Sequence, residues 1–295
     1  MDSPVMLSAT LVVPINSVRG LADSTQLQNP SRTAMWLDEI RFFVSFGTSD
    51  FSTLSLQLRV SLKLGRTPIT NGFVPIGLLG KLLNPYETIY LQYTSGAFYT
   101  WKLPKPLYIP AGEYLIPAVQ HIGVAGITAD ANVRITYAGR STPSGRPAPS
   151  VLNVPWATAF VAPSRGTGAF TDQSYETDLV NPFNEPLRVQ RFLGDVVLAD
   201  SNNNRTYGNS VICSIGSRFT TVRMVNSNGA ILARDPTPFN HLFNITDRAW
   251  TVNALLPPKG FYTAYLAQDY SLLDLASVTI TPIISMIGHR EVKLR

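Results

Sequence analysis

Apolar and polar residues alternate along much of the chain in short runs. The clearest is LSLQLRVSLKL at 54–64, where leucines and Val60 alternate with Ser, Gln, Arg and Lys. A period of two puts one face on a core and the other toward water, which predicts a half-buried strand. MLSATLVV, EIRFFVSF, AFYTWKL, YLIPAVQ and NVRITYA are further strand candidates in the first half. WATAFVA, LRVQRFLGDVVL, SVICSIG, FTTVRMV, RAWTVNALL, FYTAYLAQ and ASVTITPIISMI follow in the second. Proline and glycine separate the runs throughout, and Asn71-Gly72 and Asn228-Gly229 predict turns with positive φ. Helical pattern is thin. PIGLLGKLL at 75–83 predicts two turns, and DPTPFNHLFNI predicts a short helix near Pro238 with Thr237 as its N-cap. No βαβ alternation exists, so the fold class is all-β.

The two halves repeat one another. Gly139–Ser150 reads GRSTPSGRPAPS, without a large apolar residue, and predicts an exposed, semi-stiff linker. The expected division is a first domain at 1–140, a linker at 141–153 and a second domain at 154–295. Five short matches recur in the same order, about 150 residues apart, a spacing that fits a duplicated domain and not a solenoid unit. ATLVVP (9–14) matches TAFVAP (158–163), and Asn29-Pro30 matches Asn181-Pro182. Trp101 matches Trp250, PAGEY (110–114) matches PKGFY (258–262), and ITYAGR (135–140) matches ISMIGHR (284–290). Roughly seven or eight strands per half predict a β-sandwich, and eight make a jelly roll.

The 295 residues are long enough to bury a large core. Only 15% are charged, against about 25% in typical domains. The polar surface is therefore built from uncharged residues, or is hidden by neighbours in an assembly. Net charge is +5, with no basic stripe along any run. The one dense basic cluster is GHREVKLR, where His289, Arg290, Lys293 and Arg295 form a candidate tail for a membrane or a packaged genome. The single Cys213 cannot form an intrachain disulfide and reads as a small buried hydrophobe. MDSPVMLSATLVV carries an acid where a secretory signal needs bases, so no signal peptide is expected.

Candidate chemistry is sparse. His121, His241 and His289 lack metal-ligand spacing, and no metal or other cofactor is expected. Asp38, Glu39, Asp172, Glu176, Asp178 and Asp195 could pair as acids only by meeting in space. No nucleophile elbow, P-loop or dinucleotide fingerprint is present, and the chain is read as a non-enzyme. Trp101 and Trp250, at matching places, read as core.

Two similar all-β halves, each with W…P-x-G-x-Y, a short linker and low charge resemble the double jelly-roll major capsid proteins of tailless icosahedral viruses. That lineage includes tectiviruses, corticoviruses and adenoviruses, often with an internal membrane. The resemblance covers the whole chain and rests on architecture. It implies pseudo-hexameric trimers that tile a shell by lateral contacts, and partners among penton and minor capsid proteins. It also implies contact with an internal membrane or the genome, and a location in the virion after synthesis in host cytoplasm. Two other readings stay open. One is the larger chain of a two-chain capsid, with one upright barrel and a turret domain. The other is a two-jelly-roll glycan-processing enzyme, of peptide-glycan amidase type, or a carbohydrate-binding module.

Overall fold

A computed structural model describes residues 3–20, 29, 33–46, 58–82, 97–122, 130–142, 147–163, 165–166, 173–200, 220–229, 231–243, 249–268 and 278–293. The first half contributes β1 (Ser3–Val13), β2 (Ser17–Gly20), β3 (Met35–Phe46), β4 (Leu58–Leu64) and β5 (Thr67–Pro68). It continues with β6 (Val74–Pro75), β7 (Lys81–Leu82), β8 (Ala97–Ile109), β9 (Leu115–His121) and β10 (Ala131–Ser141). The second half contributes β11 (Val151–Val161), β12 (Arg165–Gly166), β13 (Gln173–Val180), β14 (Leu187–Asp200) and β15 (Thr220–Asn226). After β16 (Ile231–Pro238) come the single-turn helix α1 (Phe239–Leu242), β17 (Ala249–Leu256), β18 (Phe261–Gln268) and β19 (Val278–Lys293).

Each half forms two facing antiparallel sheets. In the first sandwich the orders are β1-β10-β3-β8, edged by β7, and β2-β9-β4-β5, with β6 also on β4. In the second they are β11-β19-β14-β17 and β13-β18-β15-β16. With the two-residue strands β6, β7 and β12 left out and the rest numbered one to eight along each half, both sandwiches run 1-8-3-6 and 2-7-4-5. That is jelly-roll topology, so the all-β expectation of two jelly rolls holds. The alternation read in β1 is real: Ala9, Leu11 and Val13 face the core, while Met6 and Val12 point outward at 60% and 55% exposure.

The halves repeat at the level of backbone defects. Register slips at Leu37/Glu39 where β3 meets β8, and at Val189/Arg191 where β14 meets β17 and β19. Gly139 pairs with Leu37, and Gly288 pairs with Val189. A Cβ on Gly139 would lie 2.0 Å from the Trp36 carbonyl oxygen, and one on Gly288 would lie 2.5 Å from that of Arg188. Both glycines are there because backbone approaches them at a bulge. Trp101 lies opposite Ile40 and Trp250 opposite Phe192, in each case the second residue past the skipped one. The two tryptophans thus occupy the same strand of their sandwiches.

Asn29 and Asn181 are a second duplicated device. Asn29 Nδ2 donates to the carbonyls of Thr33, Ile109 and Pro110. Asn181 Nδ2 donates to those of Glu185, Leu256 and Pro257. Both asparagines are at most 3% exposed. Each holds the turn that the PAGEY and PKGFY strings mark. Removing one amide takes a donor from three carbonyls at once, at about 1–3 kcal/mol. Asn29→Ala and Asn181→Ala are each expected to lower stability by about 2–3 kcal/mol in urea unfolding, at the upper part of that range.

Several expectations need correction in detail. The equivalent turns are Pro110–Glu113 and Pro257–Gly260, since Glu113 N donates to Pro110 O and Gly260 N to Pro257 O. The left-handed residues are Gly112 (φ 77) and Lys259 (φ 58), so the string match is one residue out of register. Met6 faces Ala138 and Ala157 faces Ile287, each partner preceding its glycine. Met6 and Ala157 are therefore equivalent, and the ATLVVP–TAFVAP match is shifted by two. PIGLLGKLL makes only a 3-10 turn at Ile76–Leu78, because Gly80 packs against the backbone of Thr100, 2.2 Å from where a Cβ would be. The short helix exists as α1, but it starts after Pro238 with no side-chain cap, and Thr237 stays in β16. Gly72 and Gly229 have the expected positive φ. SVICSIG, with Cys213, lies outside the described residues.

Candidate functional site

The two jelly rolls meet side on. The outer face of β11-β19-β14 lies against the first sandwich along β8 and the segment 69–79. Asn71 N donates to Ala157 O at 2.8 Å, Ala157 N donates to Ile69 O at 3.0 Å, and Thr70 bridges to Ala157 in parallel. Ser285 Oγ donates to Leu78 O at 2.8 Å from a fully buried position. Ala157, Leu193, Ile283 and Ile287 leave the second sandwich's own core and join that of the first. The junction is thus continuous with a hydrophobic core, and it is heterologous: one unit's side packs on another unit's sheet face.

Two of the four residues of the basic cluster, His289 and Arg290, are buried in a strand. β19 runs on to Lys293, and every residue from Thr281 to Arg290 is buried. Arg290 is 7% exposed and faces inward, beside Leu187 in register. Its Nη1 donates to Glu185 Oε2 at 3.1 Å, and its guanidinium sits 3.6 Å from the Phe183 ring centroid. Burial lowers its pKa and Glu185 raises it. His289 is 2% exposed on the opposite face, and neither ring nitrogen has a hydrogen-bond partner among the described residues. Lys293 is exposed, and Arg295 lies outside the described residues. Dense charge at the end of the sequence suggested exposure, but strand pairing with β11 and β14 overrides it.

His289 lines a cleft of about 180 Å³ with Pro186, Arg188, Leu255 and Glu291, at the margin of the junction. Lys105 of β8 reaches across and pairs with Glu291 at 3.0 Å. Both partners are well exposed, so the pair contributes little to stability. Burial holds the His289 pKa below that of a free imidazole, Lys105 and Arg188 lower it further, and Glu291 partly offsets them. His121, whose Nδ1 donates to Val13 O at 3.2 Å, is lowered mainly by burial too. Above pH about 6.5 both imidazoles are neutral in either state and contribute no pH dependence. As pH falls through that value the unfolded chain protonates first, so stability declines. A falling urea midpoint between pH 7.5 and 5.5, flattened in His289→Gln and flatter still with His121→Gln, is the expected result. Equal midpoints at both pH values would contradict it.

The candidate acids do not converge. Asp38 pairs with Arg140, Glu39 with Arg41, and Asp178 accepts from Thr263 Oγ1 at 2.7 Å. Asp195 is buried in β14, Glu176 sits in β13, and Asp172 lies outside the described residues. Among the described residues no three His, Cys, Asp or Glu are grouped to hold a metal. No described helix is long and apolar enough to cross a membrane. The reading of the sequence missed the sheet faces: outward Met6, Val12 and Phe98 are large and apolar, yet 47–60% exposed. The signal was in MLSATLVV, whose polar-facing positions include Met6 and Val12.

Neither protein-family models nor curated proteins match the sequence. Among solved structures the chain is similar to the STIV MCP, with TM-score 0.52 and 11% identity over 99% of this chain and 97% of that one. It is similar to PBCV-1 VP54, as fitted into a reconstruction of the virophage Sputnik, with TM-score 0.51 and 10% identity over 100% and 95%. A quasi-atomic description of the PBCV-1 virus capsid gives TM-score 0.50 and 10% identity over 99% and 94%. At such identity the likeness establishes the fold, a double jelly roll along the whole chain.

Proposed function

We propose that this chain is a viral major capsid protein, a building block that assembles with its own copies into an icosahedral shell. The observation that carries the reading is the side-on, heterologous junction between two equivalent jelly rolls. Repeated about a threefold axis, such a contact makes a ring of six similar lobes, and such rings tile a facet. The similar folds belong to the STIV MCP and to proteins of the PBCV-1 capsid and its fitted VP54. Contact along the sheet face β11-β19-β14, against β8 and the segment 69–79, favours two upright barrels over a barrel with a turret on top. Among the described residues the acids and histidines form no cluster, which favours a structural role over glycan processing.

In this reading the protein works in the virion, with penton and minor capsid proteins as neighbours at vertices and seams. One end of each block faces an internal membrane or the genome. Lys293, exposed at the end of β19, and Arg295 beyond it are the remaining basic groups for that contact. Electron microscopy of the expressed protein at high concentration tests the function. Blocks of pseudo-sixfold outline, alone or in sheets, are expected. Uniform single-chain particles with no lateral association would overturn the assignment.

A further inference from the structure

The cleft beside His289 occupies a place that the first sandwich fills with a carboxylate of its own. Arg140 follows the bulge glycine Gly139 and lies opposite Trp36 and Pro4. His289 follows Gly288 and lies opposite Arg188 and Pro155. Tyr108 lies opposite Trp36 as Leu255 lies opposite Arg188. The residue skipped at the bulge is Asp38 in one sandwich and Gln190 in the other. Asp38 accepts from Arg140 Nε at 3.2 Å and from Nη2 at 3.3 Å. The second sandwich keeps this place, has the cation Arg188 where Trp36 stands, and has an amide instead of that carboxylate.

What lines the cleft suits an anion. His289 is 2% exposed and borders it, and both ring nitrogens lack a hydrogen-bond partner among the described residues. A buried donor without an acceptor is costly, and a bound acceptor relieves that cost. Glu291, on the same wall, is engaged by Lys105, whereas Arg188 forms no ion pair among the described residues. The Arg188 guanidinium is therefore the charge left for a ligand, and its planar fork matches a carboxylate in two parallel hydrogen bonds. Pro186 and Leu255 complete the lining with apolar surface, and about 180 Å³ holds a short hydrocarbon stem beside the charged group. A divalent cation fits worse, because Arg188 and Lys105 would repel it from His289 and Glu291.

We propose that this cleft is a binding site for a small aliphatic carboxylic acid, held by the Arg188 guanidinium and by a ring N–H of His289. The ligand carboxylate takes the part that Asp38 plays for Arg140, and its stem lies against Pro186 and Leu255. The residues all belong to one chain, so the site stands or falls independently of the capsid reading.

Isothermal titration calorimetry of the full-length protein with sodium butyrate, at neutral pH and fixed ionic strength, tests the site. Inorganic phosphate and zinc chloride are the comparison ligands, and circular dichroism checks folding. Saturable binding of a single butyrate per chain is expected. Arg188→Gln should weaken it about tenfold, as the loss of a charge-assisted hydrogen bond does. His289→Leu should weaken it as well. Gln190→Asp should do the same, by setting a carboxylate of the chain's own beside the site. Arg223→Gln, an exposed change on β15 in the opposite sheet, should leave binding as it was. Arg188 is exposed, so its variant and Gln190→Asp decide the matter even where His289→Leu fails to fold. No butyrate binding, or binding that Arg188→Gln and Gln190→Asp leave unchanged, overturns the proposal. So does binding of phosphate or zinc without butyrate, which would give the cleft to another class of ligand.

Discussion

Trp101→Ala is expected to lower stability by about 3–5 kcal/mol, the range for emptying a large aromatic site in a closed core. Trp101 is fully buried opposite Ile40, in the core that also takes in the junction residues Ala157 and Ile287. The cavity would open where the two jelly rolls share one core, so both should loosen together. Trp101→Phe should cost much less. The indole Nε1 has no hydrogen-bond partner among the described residues, and phenylalanine removes that donor along with some volume. Urea unfolding of the two variants measures the contrast. Comparable losses would show that the indole nitrogen is satisfied and that packing alone does not set the cost.

Gly139→Ala carries the second large effect. Its new Cβ would sit 2.0 Å from the carbonyl oxygen of Trp36 and 2.9 Å from the Leu37 Cα, and both neighbours are backbone. No rotamer change relieves that clash, so the bulge between β10 and β3 must open, at about 3 kcal/mol or more. Gly288→Ala meets Arg188 O at 2.5 Å and should follow in the same direction with a smaller loss. Gly72→Ala is the comparison: nothing lies within 4 Å, and only its φ of 63° opposes a side chain, at about 1–2 kcal/mol. The thermal midpoints should therefore fall in the order Gly139, Gly288, Gly72. A Gly139→Ala protein as stable as the parent would mean that the register slip is not a fixed feature of the sheet.

These residues also mark how much could be read from the sequence. The duplicated Trp, Asn-Pro and Gly-Arg or Gly-His strings were visible because the same positions recur in each sandwich: a bulge that admits only glycine, a turn that needs an amide, and a strand site for indole that is fully buried at Trp101 and half-buried at Trp250. Their register was less visible. PAGEY and PKGFY share letters one residue away from their shared geometry, because Lys259 occupies the left-handed position that Gly112 holds in the other copy. The basic cluster misled for a different reason. His289 and Arg290 continue the strand begun at Val278, and pairing on both sides buries charges that local composition places outside.

The junction was hidden altogether. Whether Met6 or Ala157 is covered depends on which sandwich lies beside it, and alternation along one strand reports only that two faces exist. Small residues at 157 and 159 against Met6 and Ser8 are the nearest trace, since a covered face favours close approach. The same physics bears on the low charge: a chain that buries one outer sheet face within itself has less surface to keep solvated.

The most direct measurement is the molar mass of the full-length protein across a wide concentration range, by light scattering at near-physiological salt. The account predicts a mass of three chains that persists on dilution, with larger lateral assemblies at the highest concentrations. A strictly single-chain mass at every concentration would contradict it.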